Sequence, residues 1–96
     1  MEHSKGRILW IDDEIELLKP HIILLGQRGY TVETASNGDD ALALAQQSNY
    51  DLFFLDESML GMSGLETLSR LKDIDSSVPV VMVTKNEAES VMEDAI

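Results

Sequence analysis

Four short apolar runs, RILWI at 7–11, YTVETA at 30–35, DLFFL at 51–55 and VPVVMV at 78–83, are each followed by a longer stretch with helical spacing. Strand-length runs alternating with helical stretches predict a βα repeat, and successive right-handed units of this kind build a parallel sheet with helices on its faces. Three of the runs are apolar at nearly every position, the pattern of strands covered on both sides. YTVETA alternates instead, which predicts a place nearer an edge.

The first helical stretch, about 14–28, carries Ile15, Leu18, Ile22 and Leu25 in phase, with Gly29 as a stop. Pro20 lies inside it. A proline in a helix interior removes a backbone bond and costs about 3 kcal/mol, which predicts a kink near residue 16 or a late start of the regular helix. A second helix, 39–48, follows the SNGD turn. A third, 64–73, opens with Ser63 and Glu66 at capping-box spacing and is predicted to show Leu65, Leu68 and Leu71 on one face. The fourth begins near Asn86, with Val91, Met92 and Ala95 still in phase.

The 96 residues carry a formal charge of −11 and 44% hydrophobic content, which reads as one globular domain. The acidic excess, with no basic stripe to offset it, argues against direct contact with nucleic acid. There is no cysteine, so disulfides, thiolate metal sites and a cysteine nucleophile are excluded. The short apolar run after MEHSKGR is too brief for a signal-peptide core, and no later run approaches a membrane span. The expectation is a cytoplasmic protein with no membrane partner.

Ligand sites in open parallel sheets lie beyond the carboxyl ends of the strands. The first run ends in Asp12 and Asp13, the third in Asp56 and the fourth in Thr84. Neighbouring strands are about 4.8 Å apart, so these side chains can meet in one cleft. Crowded carboxylates repel, and a divalent cation is a usual remedy. Mg²⁺ suits them, because it takes oxygen ligands and commonly combines one or two carboxylates with phosphate oxygens. With a phosphoryl donor present, one carboxylate could attack phosphorus and Thr84 could hydrogen-bond a phosphoryl oxygen.

Each residue also has a plainer account. Asp12, Asp13 and Glu14 fit an acidic first helical turn favoured by the helix dipole, and Asp56 fits the start of a turn. Thr84 fits a strand end, Ser63 an N-cap, the methionines core filler, and Lys85 a solvated charge. His3 and His21 have no partners at metal spacing and read as surface residues. The joint occurrence favours the functional account: an acidic pair, a lone acid and a hydroxyl all fall at the same end of consecutive strands.

In WIDDE, FFLDESMLGMSGLE and VVMVTK the chain resembles a bacterial response-regulator receiver domain, CheY-like, from about Arg7 to Ile96. The resemblance implies an α/β flavodoxin-like, doubly wound parallel sheet of strand order 2-1-3-4. It also implies that residues 1–96 form a receiver truncated at its C-terminal end, short of a fifth strand and last helix. By the same resemblance Asp56 is the phosphoacceptor and Thr84 the switch hydroxyl. Asp13 and Asp56 would bind Mg²⁺ directly, Asp12 through water, and the backbone carbonyl of Ser58 would add a ligand. The implied partner is a sensor histidine kinase. The domain would assist its own phosphorylation and dephosphorylation without turning over a separate substrate.

A narrower likeness, in IDDEIELLKPHIILL, GLETL and VTKNEAESVMEDAI, is to PorX-type regulators, which are linked to type IX secretion and carry a C-terminal PglZ effector. Three features depart from the family pattern. Leu60 replaces a usual proline, Ser58 a common asparagine, and Lys85 a small residue. The family's lysine at the end of its fifth strand would fall beyond Ile96.

Two other function classes remain open at this point: a receiver-like interaction module without phosphotransfer, and a Mg²⁺-dependent phosphohydrolase. The second lacks an acid two residues after Asp56, where Ser58 stands. If the chain ends at Ile96, the apolar strand 78–83 is also expected to pair with a second copy.

Overall fold

The structure, a computed structural model, describes residues 4–57 and 61–83. Strand β1 spans Gly6–Ile11, and a short 3₁₀ turn at Ile15–Leu18 leads into helix α1, Lys19–Gln27. There follow β2 (Tyr30–Ala35), α2 (Gly38–Gln47), β3 (Leu52–Asp56), α3 (Gly64–Ile74) and β4 (Val80–Val83). The four strands form one parallel sheet, as the βα alternation predicts, in the order β2-β1-β3-β4 that the resemblance to a receiver domain implies. The alternating run, β2, lies at one edge. The fourth helix expected near Asn86 lies outside the described residues.

Proline decides where α1 begins. Pro20 sits in the first helical turn, where its missing N–H leaves no intrahelical bond unmade and its fixed φ suits the helix. The regular helix accordingly starts late, at Lys19, and the residues before it tighten into the 3₁₀ turn. At the other end Gly29 takes φ +98°, and its N–H bonds the carbonyl of Gly26. A side chain is strained in that left-handed conformation, so glycine is the residue that stops the helix there.

Leu9, Ile11, Phe53 and Leu55 bury one sheet face against α2 and α3, with Ala41 and Leu71 as the deepest helical partners. On the opposite face Trp10 packs on Phe54, ring centroids 4.7 Å apart, and lies 6.3 Å from the ring of His21 on α1. α1 covers that face incompletely: none of its residues is fully buried and Ile23 and Leu24 remain exposed, while Leu18 of the preceding 3₁₀ turn is buried.

The third helix corrects one expectation. Ser63 caps it by accepting the N–H of Glu66, as the spacing predicts. Leu65, however, is 66% exposed, and the inward face is Gly64, Thr67, Leu68 and Leu71. The face is turned because the helix start is pressed onto the backbone of Glu57, while Thr67 meets Gly38 of α2. A Cβ on Gly38 would come within 2.5 Å of the Thr67 hydroxyl oxygen.

A polar cluster ties the strands together at their amino ends. The Arg7 guanidinium pairs with Glu33 and stands 5.1 Å from the centroid of the Tyr50 ring, whose hydroxyl donates to Glu33 at 2.9 Å. Burial, reinforced by the bond to Glu33, pushes the Tyr50 phenol above its usual pKa. The Asp51 carboxylate accepts the Arg7 N–H at 2.7 Å, anchoring the entry of β3 to β1.

Candidate functional site

β1 and β3 are the two central strands, and their register sets the site. Ile11 pairs with Leu55, so the next residue on each strand, Asp12 and Asp56, emerges side by side at the carboxyl end. This is the point where the strand order reverses, β2 lying to one side of β1 and β3 to the other. A cleft opens there because the helices leaving the two strands go to opposite faces.

The backbone holds Asp12 one residue past the strand. Its N–H donates to the carbonyl of Ala35 at 3.0 Å, extending the ladder with β2. Its Oδ1 accepts the N–H of Glu14 at 2.8 Å, which turns the chain toward the 3₁₀ segment. Asp12 is fully buried, Asp56 is 3% exposed, and Asp13 faces solvent. One carboxylate oxygen from each of the three lies within 4.8 Å of the others.

The plain account of the acidic pair fails on this geometry. α1 begins at Lys19 and has no acidic residue in its first turn, so Asp12 and Asp13 do not serve the dipole of that helix. Asp56 is likewise more than a turn residue, being the last member of β3 and paired with Val83. A buried carboxylate is costly to ionise without compensation, and two of them beside a third make a natural seat for positive charge. The donor set is all hard oxygen, which fits a hard divalent cation of the magnesium or calcium kind.

Beyond β3, the N–H of Glu57 donates to the carbonyl of Val83 at 3.1 Å, so the ladder with β4 runs past Asp56. Thr84 follows Val83 in the chain, but Thr84 and Lys85, like Ser58 and Leu60, lie outside the described residues. His3 also lies outside them, and His21 is exposed. Trp10, two residues before Asp12, is buried in the α1 face.

The sequence reading overlooked Gly64, which closes the loop that leaves Asp56. No periodicity marks it. The one signal is a glycine in a helical first turn, where glycine is a poor helix former.

This arrangement has close counterparts. The sequence profile of the response regulator receiver domain matches residues 8–96. An uncharacterized transcriptional regulatory protein of Bacillus subtilis, YkoG, is 37% identical over 85 residues, covering 88% of this chain and 37% of the relative. The chain thus spans about a third of the length of curated relatives of this kind. Among solved structures, TrrA of Thermotoga maritima in complex with Mg²⁺-BeF superposes with a TM-score of 0.75 at 34% identity, covering 88% of this chain and 70% of TrrA. A response regulator from Burkholderia pseudomallei, solved with a phosphorylated aspartic acid, a calcium ion and citrate, gives a TM-score of 0.77 at 29% identity. That match covers 83% of this chain and 47% of the Burkholderia protein. With the sheet order, the acidic cleft and the profile in agreement over nearly its whole length, the chain belongs to the response regulator receiver domain family.

Proposed function

We propose that this chain is the phosphoacceptor domain of a two-component regulator, taking a phosphoryl group from a sensor histidine kinase onto Asp56 with Mg²⁺ as cofactor. The observation that carries this reading is the cluster of Asp12, Asp13 and Asp56, two of them buried, at the carboxyl ends of the two central strands. The likeness to TrrA, which was solved with Mg²⁺-BeF, supports it, as does the phosphorylated aspartic acid in the Burkholderia relative.

In this reading Asp56 is the nucleophile. One of its carboxylate oxygens forms a bond to phosphorus as the P–N bond of the kinase phosphohistidine breaks, and the imidazole leaves with the bond's electron pair and takes a proton. The bound cation supplies positive charge that offsets repulsion between the carboxylates and the phosphoryl oxygens. Asp13, Asp56 and the Ser58 carbonyl are assigned to direct contact with the metal and Asp12 to contact through water. Thr84 is assigned as the switch hydroxyl that donates to a phosphoryl oxygen. The domain works in the cytoplasm, assists its own phosphorylation and dephosphorylation, and turns over no separate substrate.

Incubation with acetyl phosphate and Mg²⁺ is expected to add one phosphoryl group to the protein by intact-mass spectrometry, and excess EDTA to prevent it. No gain in mass with Mg²⁺ present would overturn the reading in favour of an interaction module without phosphotransfer.

Output is assigned to a C-terminal effector, of the PglZ type if the narrower likeness to PorX-type regulators holds. The support is the run of similar residues in IDDEIELLKPHIILL and GLETL. The coding sequence downstream of Ile96 should then hold a strand-forming run ending in lysine, to pair with β4, and an alkaline-phosphatase-like domain after it. A DNA-binding domain there would remove the PorX-type assignment.

A further inference from the structure

We infer that Gly64 is a positioning residue for the metal site, acting through the backbone of Asp56 and Glu57; the inference rests on the proposed phosphoacceptor reading. The first residue of α3, Gly64, stands against the end of β3. The N–H of Gly64 points back to the carbonyl of Glu57 at 3.4 Å. A Cβ placed on Gly64 would lie 2.8 Å from the Glu57 Cα, 2.9 Å from the Asp56 carbonyl oxygen and 2.9 Å from that of Glu57.

All three obstacles are main chain. No side-chain rotation relieves them, so any residue larger than glycine must push the backbone at Asp56 and Glu57 away from the helix start. Conformation is not the constraint, because the only positive-φ glycines among the described residues are Gly29 and Gly61. Alanine at position 64 would even suit the helix better by intrinsic propensity. Glycine stands at this position for its small size. The pinch sets the direction in which the chain leaves β3, and with it the angle at which the Asp56 carboxylate faces Asp12 and Asp13.

Metal sites are sensitive to such support: removing outer groups that orient the ligands typically lowers affinity about 10- to 100-fold. Gly64→Ala is therefore expected to raise the Mg²⁺ dissociation constant at least about tenfold, measured by calorimetry well below the melting temperature. Gly26→Ala, at a helical glycine with nothing within 4 Å of the added carbon, is the control and should leave the constant unchanged. A purely structural role would lower the melting temperature of Gly64→Ala and leave the constant of the folded protein alone, which would overturn the inference.

Should the variant not fold, amide exchange in the unaltered protein decides. Saturating Mg²⁺ should slow exchange of the Gly64 N–H at least about tenfold, and unchanged exchange would overturn the inference. If the unaltered protein binds no Mg²⁺, the reading of the site fails and this inference with it. If it binds Mg²⁺ and Gly64→Ala binds equally well, only this inference fails.

Discussion

Asparagine in place of Asp56 is expected to abolish phosphoryl gain completely while making the metal-free protein more stable. The two effects have one cause. In the proposed reaction the carboxylate of Asp56 is the nucleophile, and an amide of the same shape cannot attack phosphorus. In the absence of metal that same carboxylate is buried within 4.8 Å of two others. At an effective dielectric constant of about 20, each such pair of charges repels by roughly 3 kcal/mol, less where Asp13 meets solvent. Removing one of the three charges should stabilise the protein in EDTA by about 1 to 3 kcal/mol, read as a higher urea midpoint at unchanged slope. Mg²⁺ should reverse the order, because the unaltered protein gains about 2.7 kcal/mol at one hundred times its dissociation constant and the variant gains less. A variant that still accepts phosphate would place the nucleophile elsewhere. A variant less stable than the parent in EDTA would show that the cleft does not store repulsion.

The second large effect concerns the floor of the cleft. Leu55 immediately precedes Asp56, is fully buried, and pairs in register with Ile11 on one side and Met82 on the other. Leu55→Ala is expected to cost about 2 to 5 kcal/mol, lost transfer energy plus a cavity that the flanking strands cannot close. A domain of this size has a total stability of only about 5 to 15 kcal/mol, so the variant should populate the unfolded state measurably at room temperature. Leu65→Ala is the matched comparison. Simple periodicity places Leu65 in the core, but it is 66% exposed, and its truncation should change stability by no more than about 0.5 kcal/mol. Equal losses at the two positions, measured by urea denaturation, would contradict the packing of α3 described above.

That comparison also marks how far periodicity reaches. Spacing predicts that α3 exists, where it starts and how Ser63 caps it. It does not tell which of two adjacent stripes faces inward, because Leu65, Leu68 and Leu71 form as good a helical row as Gly64, Thr67, Leu68 and Leu71. Contacts chose the second. Gly64 and Thr67 are small enough to let the helix start close on Glu57 and on Gly38, and no apolar pattern advertises that virtue.

The candidate site divides in the same way. That acidic residues end the first and third strands is legible in WIDD and FFLD, since runs covered on both faces must end where a charge appears. By itself the sequence determined the βα alternation, the edge place of β2, the late start of α1 forced by Pro20, and the acidic strand ends, because each follows from local sterics or from the burial of a short run. Only the tertiary structure decided that Asp12 and Asp56 are neighbours. They are 44 positions apart in the chain, and what joins them is the register Ile11 to Leu55, set by the parallel pairing of β1 with β3. The closure of the loop at Gly64 was decided there too, by an approach of backbone to backbone between residues whose side chains say nothing about it.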